Sequence, residues 1–254
     1  MRFVTTKTLA GELRGKHIAD SLGVPWAHQY TEPAEWVVFV KTFSGMAQAK
    51  RDGCRIAMDP VDHYCYDDGR ALEPRPEVDM LIIPNPECAR GYKGLFPNAD
   101  FMVVPHQWDA RITGECEHDL FRPGYIGRRF NLSEMLGNGV EMVINEDEQL
   151  AAMPRFNCHI AHRAWQAADA RKPATKVASA AAVGAVIVTT PDASARHLLG
   201  PDYPFYAPGT VFDALYQARK AFGTERWEQA REVMRQVKEK TSLQAIVQAY
   251  KLLM

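Results

Sequence analysis

The chain has 254 residues, 46% hydrophobic and 24% charged, which is the composition of an ordinary globular protein with one large or two small domains. Its 30 basic and 31 acidic residues leave a formal net charge of -1, so no overall positive field attracts nucleic acid or an anionic membrane. The five cysteines form no Cys-x-x-Cys pair, which argues against a disulfide framework or a thiolate zinc site.

The sequence contains no obvious membrane or export signal. No apolar run approaches the roughly 20 residues that a membrane helix needs. The first residues, MRFVTTKTLAGELRGKH, lack the apolar region of a signal peptide. We therefore expect a cytoplasmic protein without a membrane span.

In chain order, the amino-terminal part alternates short β-rich runs with helical segments, which predicts a parallel sheet flanked by helices. Most of the predicted strands end at polar or proline residues, where ligand-binding loops of such sheets begin. The strands are predicted at 2–5, 36–40, 54–59, 79–83 and 100–104, and the helices at 12–22, 44–51 and 86–91.

The alternation stops over 105–130, where glycines and prolines with little periodicity predict a linker and the entry to a second domain. Strands then follow at 140–144, 156–160 and 185–189, with helices at 146–152 and 174–183. The rest is helical at 210–222, 225–238 and 242–252, and the last of these has an apolar face that must pack against something. A cleft at the carboxyl ends of the strands is the expected ligand site.

The most informative stretch is RKPATKVASAAAVG at 171–184, which is followed by AVIVTTP. Lys172 and Lys176 flank the predicted helix start, Arg171 lies beside them, and the stretch 171–184 contains no acid. A helix amino terminus disfavours cations by about 0.3–1 kcal/mol each. This arrangement predicts that an external anion such as a diphosphate binds there, with a solvated basic turn as the alternative.

The order FNCHIAHR, loop, KPATK, small-residue helix, glycine, strand and TTP resembles the donor half of GT-B glycosyltransferases. In that family, a strand ending in arginine precedes a helix of the form K-P-x-x-K, and these cations hold the donor diphosphate. The resemblance implies that the diphosphate is held by Arg163, Lys172 and Lys176. It also implies that the sugar or its phosphates lie beside Thr189, Thr190 and Pro191.

A second segment, FRPGYIGRRFNL, resembles the opening strand and glycine loop of the GT-B carboxyl-terminal domain. Gly127 would let the backbone approach a phosphate or sugar, and Arg128 and Arg129 would meet its charge. The resemblance is clearest over 121–206. One departure is that PDASARHLLG after Thr190 lacks the E-x7-E pair of many retaining members. Asp192 is the remaining acid there, and retention versus inversion stays open.

The amino-terminal stretch LAGELRGKHIADSLG resembles the first loop and helix of the acceptor domain in the same fold. The resemblance implies an acceptor-side loop at Gly15, Lys16 and His17. A capped surface helix with scattered charge is the alternative interpretation.

Two polar clusters follow predicted strands and provide the catalytic candidates Asp62, His63, His106 and Asp109. Acids and histidines at strand ends in a cleft are the usual general acids and bases. An inverting transfer needs such a base, whereas a retaining transfer needs stabilisation of an oxocarbenium-like centre. No pair of ligands has metal-motif spacing, so we expect metal-independent chemistry with no bound cofactor.

The resemblance implies an α/β protein of GT-B type, with two Rossmann-like domains facing a central cleft and a helical carboxyl-terminal tail. Residues 1–118 would bind the acceptor, 119–222 would bind the donor, and the helices of 223–254 would pack back across the domains. The implied enzyme transfers a hexosyl or pentosyl group from a nucleotide-diphosphate sugar, with a UDP-sugar expected, to an acceptor hydroxyl.

The acceptor and the oligomeric state stay open. A glycan, a small molecule and a hydroxymethylated base in viral DNA are the acceptor classes considered. DNA would need a basic cleft, for which the candidates are Arg14, Lys16, Lys41, Lys50, Arg51 and Arg90. The alternative functions are a nucleotide-sugar epimerase-like enzyme and a non-catalytic nucleotide-sugar-binding module on the same scaffold.

Overall fold

The computed structural model describes residues 1–61, 73–129, 132, 139–162 and 172–254. The chain forms two compact units. The first unit contains Met1–Gln107, Ala167–Pro173 and Leu243–Met254, and the second contains Trp108–Gln166 and Ala174–Ser242. The predicted division into acceptor and donor domains stays a prediction, because these units are defined by internal contacts and not by ligands.

The first unit is built on a parallel sheet, here called sheet A, with strand order β2-β1-β3-β4-β5-β6. Its central strand β3 is buried at every position, as expected for a parallel strand covered on both faces. The strands are β1 (Arg2–Thr5), β2 (Trp26–Ala27), β3 (Trp36–Val40), β4 (Arg55–Asp59), β5 (Met80–Ile83) and β6 (Asp100–Val103).

The first helical segment of this unit contains a π-helical turn, Glu12–Lys16, between two α-helical pieces. Such turns widen a helix locally and often occur at functional sites. The α-helices in this part are α1 (Leu9–Gly11), α2 (His17–Leu22), α3 (Met46–Arg51) and α4 (Cys88–Tyr92).

The second unit is built on sheet B, with strand order β10-β9-β7-β8 and parallel pairing throughout. Its strands are β7 (Pro123–Ile126), β8 (Glu141–Val143), β9 (Cys158–Ala161) and β10 (Val186–Thr189). The helices are α5 (Glu146–Ala152), α6 (Thr175–Ala182), α7 (Ala193–Leu199), α8 (Val211–Ala221) and α9 (Glu225–Lys240).

Small side chains let α6 pack closely in the second unit. Ala178, Ala180 and Ala181 are fully buried, and α6 contacts both β10 and α9. Gly184 follows the helix with a φ of 74°, a backbone conformation that glycine adopts readily and that commonly ends helices.

The last helix, α10 (Leu243–Tyr250), packs on the first unit and is followed by a 3₁₀ turn, Lys251–Leu253. It contacts α2, and Ile246, Val247 and Tyr250 are buried in the same core cluster as Phe3 and Ile18. The apolar face predicted on this segment is therefore covered. Among the described residues, no helix combines the length and the apolar character needed to cross a bilayer.

The predicted α/β class with two parallel sheets and a helical tail is confirmed. The segment 105–130, predicted as a linker and the entry to a second domain, contains the strand β7, which the glycine-loop resemblance implied and the apolar pattern did not. Two further elements were not predicted, the short edge strand β2 and the helix α7.

Candidate functional site

Three strands of sheet B end at the same level. Thr189 at the end of β10 pairs with Ala161 at the end of β9, and Gly124 in β7 pairs with His159, two residues before Ala161. The residues that follow these strands therefore share one edge of the sheet. The carboxyl edge of a parallel sheet is where such folds bind ligands.

The structure brings the predicted donor residues Lys176 and Gly127 together at this edge. Lys176 lies in the first turn of α6, its Nζ donates to the carbonyl of Ile126 at 2.7 Å, and it lies 3.9 Å from the centroid of the Tyr125 ring. Gly127 has a φ of 140°, and a Cβ built there would lie 2.6 Å from Lys176 Nζ. Glycine at 127 is therefore what lets the lysine ammonium approach this backbone.

The described first turn of α6 carries Lys176 and no acidic side chain, and its N-cap residue, Ala174, provides no side-chain cap. A helix terminus of this kind presents backbone N–H groups and partial positive charge, which favour an anion. Lys172, the second predicted lysine, is half-buried and belongs by its contacts to the first unit.

The two predicted arginines lie on the surface after β7. Arg128 Nε donates to Glu146 Oε1 at 2.6 Å, and both side chains of this ion pair are more than half exposed, at 59% and 64%. Exposed pairs of this kind contribute about 0–1 kcal/mol, so a phosphate can compete with Glu146 for Arg128. Arg129 is exposed, and its carbonyl accepts a hydrogen bond from Leu132 N–H at 3.2 Å.

The segment after β10 is held by its own hydrogen bonds. Thr189 and Thr190 are buried, and the Thr189 hydroxyl donates to the carbonyl of Ala161 at 3.2 Å. Pro191 is half-buried and precedes Asp192, whose Oδ1 accepts a hydrogen bond from Ala195 N–H at 2.8 Å. Asp192, the acid considered as a sugar contact, is thus the N-cap of α7.

His162 is a further residue at this edge that the sequence reasoning missed. It follows β9 directly, is buried, and its Nε2 lies 3.0 Å from the carbonyl oxygen of Gly209. Its place in FNCHIAHR, between Ala161 at the strand end and Arg163, could have indicated a role at this edge. Arg163 itself lies outside the described residues.

At the carboxyl edge of sheet A, Arg14 and Asp59 form a buried ion pair that was not predicted. Arg14 Nε and Nη2 lie 2.8 and 2.7 Å from Asp59 Oδ2, and the Tyr250 hydroxyl donates to the same oxygen at 2.6 Å. Burial alone would lower the pKa of Arg14, but the charge of the Asp59 carboxylate and its hydrogen bond raise it. Burial, with Asp59, raises the pKa of Tyr250 well above its usual value, so this phenol keeps its proton.

The same arginine contacts the segment that carries His106. Arg14 Nη1 donates to the carbonyl of Pro105 at 2.8 Å and lies 3.3 Å from Gln107 Oε1, while Gln107 Nε2 donates to the carbonyl of Leu13. His106 is buried, and its Nδ1 lies 2.9 Å from the carbonyl oxygen of Gln107. Because a carbonyl oxygen only accepts, this contact requires the proton on Nδ1.

Of the other catalytic candidates, Asp109 lies among the described residues. Asp109 belongs to the second unit, whereas His106 belongs to the first. The Asp109 carboxylate is occupied by Arg111, whose Nη2 lies 2.6 Å from Oδ2. Asp62 and His63 lie outside the described residues. Among the residues described, no three His, Cys, Asp or Glu side chains are grouped to hold a metal ion.

The predicted acceptor-side loop lies in the π-helical turn and the start of α2. A Cβ at Gly15 would lie 2.5 Å from Thr5 Oγ1, so this glycine allows the turn to pack against β1. Lys16 forms an ion pair with Asp20 at 2.6 Å. His17 is half-buried, and its carbonyl accepts a hydrogen bond from the Ser21 hydroxyl.

Arg14, the first residue considered for a basic cleft that would bind DNA, does not lie on the surface. Arg14 is buried and paired with Asp59, so its charge is unavailable to a phosphate backbone. Lys50 is paired with Asp79 at 2.7 Å. The prediction that Arg14 contributes to a nucleic-acid surface is therefore wrong.

No family model and no curated protein matches this sequence, but solved structures do. HepE from Anabaena in complex with UDP and glucose matches with a TM-score of 0.61 at 8% identity, over 94% of this chain and 88% of that one. A glycosyltransferase from Rickettsia africae matches with a TM-score of 0.59 at 8% identity, over 99% and 96% of the two chains. AviGT4, a glycosyltransferase involved in avilamycin A biosynthesis, matches with a TM-score of 0.56 at 12% identity, over 99% and 95%.

The chain has the GT-B fold. The matches extend over 94–99% of this chain and 88–96% of these three structures. The chain spans 56% of the matched chain of the larger GtfA/B complex. The GT-B resemblance inferred from motifs is thus confirmed at the level of the fold.

Proposed function

We propose that this protein is a glycosyltransferase that moves a hexosyl or pentosyl group from a nucleotide-diphosphate sugar to an acceptor hydroxyl. A UDP-sugar is the expected donor. The observation that carries the proposal is the meeting of Lys176 and Gly127 at the carboxyl edge of sheet B, on a fold that matches a complex with UDP and glucose.

The donor diphosphate would bind between the glycine backbone after β7 and the amino terminus of α6. An ammonium group has three N–H donors, so Lys176 can bind Ile126 and a phosphate oxygen together. Arg128 and Arg129 add charge from the surface side, and Arg163 and Lys172 are the further cations that the motif supplies. Charge-assisted contacts of this kind are the stronger class of hydrogen bond.

During transfer, the acceptor oxygen forms a bond to the anomeric carbon while the bond from that carbon to the diphosphate oxygen breaks. The nucleoside diphosphate leaves with the electron pair, and the cations around it stabilise the developing charge. The acceptor hydroxyl proton goes to a base. His106 is the first candidate, because a neutral ring with its proton on Nδ1 has Nε2 as the basic atom; Asp62, His63 and Asp109 are the alternatives.

A non-catalytic nucleotide-sugar-binding module is the second candidate function. It is favoured by the absence of the E-x7-E pair from the sequence and by the use of Asp192 as a helix cap. Among acceptors, the buried Arg14–Asp59 pair weighs against DNA and leaves glycans and small molecules as the preferred classes.

Thermal unfolding against a panel of nucleoside diphosphates and nucleotide sugars tests the donor site. A ligand at about 100 times its dissociation constant adds roughly 2.7 kcal/mol to stability. We expect such a shift with UDP and UDP-glucose, reduced in Lys176→Met and retained in Lys220→Met. Lys220 is a matched control, since its ammonium lies 4.6 Å from the Tyr216 ring centroid on α8 and its neighbour Arg219 lies 5.4 Å from the ring of Phe121, which precedes β7.

Release of UDP from UDP-glucose over a panel of glycan and small-molecule acceptors then separates the two candidate functions. Acceptor-dependent release identifies a transferase. Binding without release over the whole panel would favour the binding module, and no thermal shift with any nucleotide in the folded protein would overturn the donor site itself.

A further inference from the structure

A single buried carboxylate, Asp59, joins three separate parts of the first unit. It is the last residue of β4, and its Oδ2 receives hydrogen bonds from Arg14 in the π-helical turn and from Tyr250 in α10. Its Oδ1 accepts a hydrogen bond from Val61 N–H at 3.1 Å. Arg14 lies 45 positions before Asp59 in the chain, and Tyr250 lies 191 positions after it. Both thus bind one side chain that is 3% exposed.

The backbone around this carboxylate is strained. Val61 has a φ of 55°, in the left-handed region that is rare for a β-branched residue. Lys41, which follows β3, has the same φ, and its N–H donates to the carbonyl of Asp59 at 2.9 Å. Strain of this kind persists only where the surroundings enforce it, and it clusters at functional sites.

The network extends from Asp59 to both neighbours of His106. Arg14 holds the carbonyl of Pro105 and the side chain of Gln107. A second bond, from Gln107 to the carbonyl of Leu13, ties the same side chain to the π-helical turn. The Gln107 carbonyl that contacts His106 Nδ1 therefore belongs to a residue whose side-chain oxygen and nitrogen are both hydrogen-bonded.

We propose that Arg14, Asp59 and Tyr250 are positioning residues for His106. Asp59 and Tyr250 fix the guanidinium of Arg14, the guanidinium fixes Pro105 and Gln107, and the Gln107 carbonyl selects the Nδ1–H tautomer of the imidazole. That selection makes Nε2 the basic atom of the ring. The use of Nε2 as the base in transfer rests on the proposed function. The helix α10, through Tyr250, thereby helps to set the tautomer of His106 in the same unit.

The tautomer of His106 can be measured without donor or acceptor. Long-range ¹H–¹⁵N spectra at a pH where the ring is neutral separate the two tautomers, and the His106→Gln variant assigns the signal. We expect the wild type to show the Nδ1–H form. Tyr250→Phe, which removes one hydroxyl, and Arg14→Lys, which cannot form the forked contact, should both give a mixture of tautomers, whereas the exposed Tyr216→Phe should match the wild type.

An activity measurement adds a readout that a purely structural role would not move. With UDP-glucose and the best acceptor of the panel, Tyr250→Phe should lower kcat by about 10- to 100-fold, as small misplacements of catalytic groups do. The dissociation constant of UDP should stay unchanged. If wild-type protein fails to bind UDP, the proposed function fails while the tautomer result still tests the positioning network.

The outcomes are decisive even where a variant folds poorly, because the wild-type spectrum alone is informative. A wild-type His106 in the Nε2–H form or in an even mixture overturns the proposal. The proposal is also overturned if Tyr250→Phe and Arg14→Lys both fold and keep the wild-type tautomer. It is overturned as well if the kcat of Tyr250→Phe falls only as far as its UDP binding weakens.

Discussion

Removing the charge of Asp59 should destabilise the protein far more than removing the charge of an exposed acid. In Asp59→Asn, the guanidinium of Arg14, whose side chain is 3% exposed, would stay buried without its counter-charge. Breaking a buried ion pair by removing one partner costs about 3–5 kcal/mol, and the loss of a charged acceptor for Tyr250 acts in the same direction. We therefore expect a loss of about 3–5 kcal/mol in the free energy of unfolding.

Urea unfolding followed by circular dichroism measures this loss as a lower midpoint at an unchanged slope. Glu115→Gln is the matched control, because Glu115 forms an ion pair with Lys238 at 3.0 Å but is 77% exposed, and such pairs contribute about 0–1 kcal/mol. The double variant with Arg14→Met should recover part of the loss, since removing both buried charges is often neutral. An Asp59→Asn variant as stable as Glu115→Gln would refute the buried pair.

Three further predictions follow from the described contacts. Gly127→Ala should weaken UDP binding in calorimetry by at least about tenfold. The new Cβ would lie 2.6 Å from Lys176 Nζ and would displace the ammonium group that we expect to contact the phosphate. Gly15→Ala should lower the free energy of unfolding by about 1–3 kcal/mol, measured in urea, because its Cβ would overlap Thr5. Burial lowers the pKa of His159 to about 4, so as the pH falls this histidine takes up a proton in the unfolded chain before it does so in the folded protein. The free energy of unfolding should therefore drop by about 2 kcal/mol from pH 7 to 5. The drop should be smaller in His159→Gln.

The sequence predicted those strands whose apolar runs are continuous. The predicted strand at 36–40 coincides with β3, which is rich in valine and buried throughout. The apolar pattern alone did not predict the strand β7, because Pro123 and Gly124 are weak strand formers, whereas the resemblance of FRPGYIGRRFNL to an opening strand and glycine loop did imply it. Gly124 is explained by packing, since a Cβ there would lie 2.3 Å from the Phe156 ring.

The candidate site divides in the same way between local motifs and distant contacts. The lysine helix and the glycine loop are motifs of a few residues each, so Lys176 and Gly127 could be named from resemblance, and the structure adds the contact between them. The contacts of Asp59 with Arg14 and Tyr250 span 45 and 191 residues. No local pattern signals such pairs, and only the folded sheet brings them together.

Isothermal titration of UDP into wild type, Lys176→Met and Lys220→Met tests the central claim, a nucleotide-diphosphate site at the carboxyl edge of sheet B, most directly. The loss of one charge-assisted contact, about 1.5–3 kcal/mol, should weaken binding about 10- to 100-fold in Lys176→Met. Lys220→Met should bind like the wild type. Equal UDP affinity in all three proteins would contradict the assignment of Lys176 to the donor site, and no binding to the wild type would contradict the donor site as a whole.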